Sequence, residues 1–98
     1  MSTEVINVPS SGQFEISVDG EPAGLAQYVE EVGRRTFVHT ETEEKFAGQG
    51  LAGTLVRAAL DQTRADGLRI GATCPYVLKF LRKNHDWDDL IDPVAEHT

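Results

Sequence analysis

The chain is short of cysteine, of positive charge and of long apolar runs, and each shortage excludes something. Its 98 residues hold one cysteine, Cys74, so no internal disulfide can form. A reducing cytoplasm is the expected home. Lysine and arginine number 9 against 16 acidic residues, a net charge of −7. That balance argues against nucleic acid or an anionic membrane surface as the main partner. It suits a cationic substrate, or simply solubility. No apolar run approaches bilayer-spanning length. Met1-Ser2-Thr3-Glu4 lacks the basic-then-apolar start of a signal peptide. There are no internal repeats and no low-complexity segment, and no metal ligand set is assigned.

What remains reads as one domain over residues 1–98, with a core from about 14 to 91. Phe14-Glu15-Ile16-Ser17-Val18-Asp19 alternates apolar and polar residues, the period of a half-buried strand. Asp19-Gly20-Glu21-Pro22 signals a turn. Leu25 to Val32 is a second strand and Arg35 to Thr42 a third, with Phe37, His39 and Glu41 expected on one face. A further strand segment is expected near Val5 to Val8. Short connections make these an antiparallel meander. The period then changes to that of a helix: Leu51, Ala52, Leu55, Val56, Ala59 and Leu60 share a face until Gly67 caps it. Leu68 to Thr73 is a short strand, parallel to the third because a helix joins them. Pro75 opens a second helix. Trp87 and Leu90-Ile91 are expected to pack back on the body, and Pro93 to Thr98 to fray.

Between the third strand and the first helix lies Lys45-Phe46-Ala47-Gly48-Gln49-Gly50-Leu51-Ala52-Gly53. A strand, a bare-backbone turn and a helix start form a setting that holds an anion. Free N–H groups point outward there and the helix dipole adds partial positive charge. The segment is not a Walker loop, since no Gly-Lys-Ser/Thr follows. It matches the dinucleotide glycine spacing but lacks the βαβ context. By itself it reads either as a phosphate cradle or as a tight turn.

The order of elements resembles the GNAT acetyltransferase superfamily, and in particular a group of unusually small, single-domain members. The resemblance rests on His39-Thr40, on Gly48-Gln49-Gly50-Leu51-Ala52 and on Cys74-Pro75-Tyr76-Val77, in that order. It covers roughly Phe14 to Ile91. It implies an α/β (α+β) fold with a V-shaped acyl-CoA crevice, and acetyl-CoA as cofactor. By position, Glu41 and Thr42 would run beside the pantetheine arm, and Ala47, Gly48, Gln49, Gly50, Leu51, Ala52 and Gly53 would receive the pyrophosphate. Ala47 stands where most members carry Gln or Arg, so one side-chain contribution is missing.

Two residues are candidates for chemistry. Cys74 precedes Pro75 and so belongs at a helix N-cap, a place that favours a thiolate. It reads either as a nucleophile that takes the acetyl group or as a packing cysteine. His39 reads as a general base, because imidazole titrates near neutral pH, or as a sheet histidine. Glu41 could orient it or act as the base, while Glu43 and Glu44 read as solvated turn residues. The superfamily's tyrosine acid falls at Leu81, which has no proton to give, and Tyr76 lies one turn early. Lys79, Arg82 and Lys83 could meet the cofactor's ribose phosphate, or form a solvated helix end favoured by the dipole. The expected activity is acetyl transfer to a primary amine such as a protein lysine or polyamine. The alternative is an acyl-CoA-binding module without turnover. A monomer is expected, or a weak dimer through exposed strand edges.

Overall fold

Alternating apolar and polar residues fold the first half of the chain into four antiparallel strands, β1 (Thr3–Val8), β2 (Gln13–Val18), β3 (Glu21–Glu31) and β4 (Arg34–Thr42). A 3-10 turn at Glu44–Phe46 follows, then α1 (Leu51–Ala65), β5 (Arg69–Ala72) and α2 (Pro75–Lys83). The computed structural model describes residues 2–46 and 48–91. Ala47, and the fraying expected at Pro93 to Thr98, lie outside the described residues. The sheet order is β1-β2-β3-β4-β5, with β5 parallel to β4 through the α1 crossover. The turn before β3 is tighter than expected: Glu21 already pairs with Val18. Pro22 sits next to a register shift, where a strand tolerates a residue without an N–H.

Both helices lie on one face of the sheet and share its core. Leu51, Leu55, Val56, Ala59 and Leu60 of α1, with Val77 and Leu81 of α2, join Phe14, Ile16, Ala26, Phe37 and Ile70 in one buried cluster. Phe14, Tyr28 and Phe37 form its aromatic part, with ring centroids 5.5 to 6.2 Å apart. The guanidinium of Arg35 stacks on two of them, 5.4 Å from the Phe14 ring and 4.8 Å from the Tyr28 ring. Trp87 does pack back as expected: it is 1% exposed and donates its indole N–H to Asp61. The face away from the helices is open, with Ile6 and Val29 each about half exposed. No described helix is long and apolar enough to cross a membrane.

One expectation fails here. Phe37 pairs with Tyr28 but His39 pairs with Gln27, so the β3–β4 register shifts and Val38 is an extra residue. A bulge of this kind resets the two-residue alternation. Phe37 therefore stays on the helix-covered face, whereas His39 and Glu41 turn to the open one. Thr40, opposite the buried Ala26, takes the inner side instead.

Candidate functional site

The parallel ladder between β4 and β5 is short. It runs from Arg34↔Arg69 to Phe37↔Ala72 and stops. The carbonyl of Phe37 then accepts the N–H groups of both Thr73 and Cys74, at 2.9 and 3.2 Å, which closes the apex. β5 ends there, while β4 continues to Thr42 with no strand beside it on that edge among the described residues. The two strands thus part into a crevice whose β4 wall, Val38 to Thr42, keeps an open backbone edge.

Two helix starts face this opening. At α1 the N-cap is Gly50, in the left-handed region at φ 71, with Gly48 at φ 83 before it. A side chain is strained at such angles, and glycine avoids that strain. The first intrahelical bond runs from the Thr54 N–H to the Gly50 carbonyl, so the N–H groups of Leu51, Ala52 and Gly53 precede the ladder. Gly50 offers no side chain to cap them, and among the described residues nothing stands within 4 Å of where a Cβ would be at Gly48 or Gly50. An uncovered, uncapped helix start fits a pyrophosphate. At α2 the N-cap is Cys74, 3% exposed, with Pro75 at the first helical position.

Thr40 and Cys74 meet at the apex. Thr40 Oγ1 lies 3.6 Å from Cys74 Sγ. In the sequence Thr40 stands only as the second member of the His39-Thr40 pair, and no period marks it for a role. The signal that would have singled it out is the bulge, which no apolar–polar period reveals. His39 stands across the sheet with its Nε2 2.8 Å from the Glu41 carboxylate, both exposed. Thr40 and His39 are therefore neighbours in sequence that face opposite sides of the same opening.

The remaining candidates are more dispersed. The Tyr76 hydroxyl is 3.7 Å from a Cβ built at Gly53, so it flanks the first turn of α1. Leu81 is buried in the core and presents nothing to the opening. Lys79, Arg82 and Lys83 are exposed and make no ion pair among the described residues. Arg82 and Lys83 stand near Asn84, which contacts Arg57, two turns along the helices from the glycine turn. The structure does not bring them beside Gly48 to Gly53. Glu43 and Glu44 are exposed, as expected of solvated turn residues.

Comparison with known proteins agrees with this geometry. Residues 13–90 match the family described as GCN5-related N-acetyl-transferase. Protein NATD1 of Bos taurus is 35% identical over 74 residues, covering 74% of this chain and 66% of that protein. Protein NATD1 of Danio rerio is 34% identical over 74 residues, covering 74% and 67%. The match thus spans about two thirds of the length of these curated relatives. A GCN5-like protein from Staphylococcus aureus superposes with a TM-score of 0.68 at 20% identity, covering 97% of this chain and 96% of that one. The ribosomal-protein-S18-alanine N-acetyltransferase of Escherichia coli superposes at 0.62 with 14% identity, covering 72% and 49%. At those identities the structures speak for the fold alone. Fold, family match and relatives agree: the chain belongs to the GCN5-related N-acetyltransferase family, whose chemistry is acetyl transfer.

Proposed function

We propose that this single domain transfers an acetyl group from acetyl-CoA to a primary amine, in a reducing cytoplasm. The observation that carries the reading is the parting of β4 and β5 at Phe37↔Ala72, with a bare helix start and Cys74 at the opening. Acetyl-CoA, when bound, supplies the acetyl group as a thioester. The N–H groups of Leu51, Ala52 and Gly53 bind the pyrophosphate, and Gly48, Gln49 and Gly50 let it approach the backbone. The open edge of β4, Glu41 and Thr42 included, offers hydrogen bonds to the pantetheine arm. The bound arrangement supplies catalysis mainly by positioning.

Thr40 orients the Cys74 thiol at the apex, where the sulfur would attack the thioester carbonyl: the C–S bond to coenzyme A breaks, the thiol proton goes to the departing thiolate, and the amine then displaces the Cys74 sulfur from the acetyl group. His39, its ring held by Glu41, accepts the proton of an amine arriving from the open face. A non-turnover acyl-CoA-binding role is the second reading. It is favoured by the burial of Leu81, which leaves no hydroxyl where the superfamily's acid stands.

An amide NMR titration with acetyl-CoA, followed by mass spectrometry of the same sample, tests both. Shifts at Thr42, Gly48 to Gly53 and Cys74 are expected, with a gain of one acetyl group on Cys74. Unmoved amides at millimolar ligand would sink the transferase reading. Binding without turnover on a broad panel of amines would leave the sensor.

A further inference from the structure

Strand β1 is one edge of the sheet and β5 is the other. On the β5 side Ile91 bridges Ile70, and Arg69 donates to the Ile91 carbonyl at 3.0 Å, so that edge is covered. On the β1 side no strand pairs among the described residues. The register fixes which groups of β1 point outward. The Asp19 N–H donates to the Ser2 carbonyl at 2.7 Å, and Thr3 pairs with Val18 beside them. Backbone groups alternate sides along an antiparallel strand, so Ser2, Glu4, Ile6 and Val8 bond inward to β2. The bond from the Tyr28 N–H to the Gly12 carbonyl, at 2.9 Å, gives the matching parity on the far side of β2. The N–H and C=O groups of Thr3, Val5 and Asn7 are therefore left on the outer edge.

Sheets guard such an edge with lysine, proline, a bulge or a very short strand. Thr3-Glu4-Val5-Ile6-Asn7-Val8 has none of these, and its pairing with β2 runs without a register shift. A two-fold axis at Val5 makes this strand complementary to itself. Val5 then faces Val5 of a second copy and Thr3 faces Asn7, so each outward N–H meets an outward carbonyl. Glu4 falls opposite Ile6, away from its own counterpart. An axis at Glu4 would set two carboxylates directly across from each other. An axis at Ile6 would place Thr3 opposite Pro9, which has no N–H. The side chains suit the same axis. The Tyr28 hydroxyl donates to Asn7 Oδ1 at 2.7 Å, which leaves the Asn7 amide nitrogen as a donor without a partner among the described residues. The Thr3 hydroxyl of the second copy, opposite it on the same face, can accept that bond.

We propose that the chain self-associates through β1, antiparallel about a two-fold axis at Val5, so that the sheets of two copies run on as one. The β4–β5 crevice of each copy then lies at the end of the joined sheet away from the contact and stays open. The contact is weak and reversible, because a single strand pair is a small interface and two copies of net charge −7 repel. It does not depend on the transferase reading.

The test is sedimentation equilibrium of the full chain from about 10 μM to about 1 mM, the regime of small interfaces, joined to NMR of a half-labelled sample. A monomer–dimer equilibrium is expected, tightening about threefold as salt rises from about 0.05 to about 0.5 M and screens the repulsion. Intermolecular contacts between the Hα atoms of Glu4 and Ile6 are expected. Val5→Pro removes an outward N–H and no bond to β2, and should weaken association about tenfold. Ile6→Lys sets a cation opposite Glu4 of the second copy and should tighten association about threefold at low salt, since two exposed ion pairs are gained. Asp88→Asn, an equal change of charge on another element, should do less. A chain that stays monomeric at the highest concentration would overturn the proposal, as would a dimer that Ile6→Lys weakens or one whose intermolecular contacts join Ile6 to Ile6. If Val5→Pro does not fold, the lysine variant and the Hα contacts decide. A monomeric chain whose Thr3, Val5 and Asn7 amides shift with an alternating valine–threonine peptide would give the edge to a foreign strand and overturn the second copy.

Discussion

Thr40 Oγ1 and Cys74 Sγ lie 3.6 Å apart, 34 positions apart in sequence, and join the free end of β4 to the start of α2. The contact exists because one extra residue in β4 turns Thr40 inward. Thr40→Val keeps the shape and removes the hydroxyl. Loss of a hydrogen bond worth about 1 kcal/mol should slow modification of Cys74 by a chromogenic disulfide roughly fivefold. Thr40→Ser should restore the rate. An unchanged rate in the valine variant would remove Thr40 from the chemistry of the sulfur.

Gly50 should separate backbone strain from steric blocking. Its φ of 71 suits glycine, yet no described residue would touch an added Cβ. Gly50→Ala should cost about 1 kcal/mol in urea unfolding, and Gly50→Asn clearly less, because Asn visits the left-handed region readily. Equal losses in both variants would mean that the turn resists side chains for another reason.

Arg35 is a stability residue. Its side chain is 4% exposed and bonds Glu30 at 3.0 Å, Asp66 at 3.1 Å and Thr63 at 3.3 Å. Glu30 and Asp66 both keep contact with water, so breaking the pairs should cost about 3 kcal/mol, the low end for buried ion pairs. Arg35→Ala should show this in a denaturant titration. Arg35→Met, which refills the space against Phe14 and Tyr28, should recover part of it. A loss below about 1 kcal/mol in the alanine variant would contradict this account of the packing.

The segment after α2 should loosen in acid. Arg64 donates to both oxygens of Asp89, each at 3.0 Å, and to the Asp86 carbonyl at 2.7 Å. The hydrogen bond from Arg64 holds the Asp89 carboxyl below its ordinary range. A carboxylate depressed in the folded state contributes stability above its unfolded pKa and loses it as pH falls through the folded value. The contribution is therefore present at neutral pH and lost in strong acid. Asp89→Asn should melt lower than the native chain at pH 7 and approach it near pH 2. A melting difference that is constant across that window would exclude this pair as the source.

Periodicity alone carried most of the fold. Phe14, Ile16 and Val18 alternate as a strand, Leu51 to Leu60 repeat as a helix, and the change of period between them dictates a crossover and a parallel β5. The glycine turn and the Cys74-Pro75 start of α2 were legible because their chemistry is local: each depends on backbone angles that few residues adopt. Local signals also gave the cap at Gly67 and the return of Trp87.

The faces of β4 were decided elsewhere. Counting by twos from Phe37 carries His39 and Glu41 into the crevice, but the count holds only while the ladder to β3 is unbroken. The extra residue at Val38 depends on how β3 and β4 pair, and no single strand records its partner's register. The outward edge of Thr3, Val5 and Asn7 has the same origin, since the pairing of β1 with β2 decides which backbone groups of β1 stay free. The sequence by itself determined the elements, the turn chemistry and the family. The tertiary structure alone decided which neighbours meet across strands, because pairing between distant segments sets the register and the register sets the face.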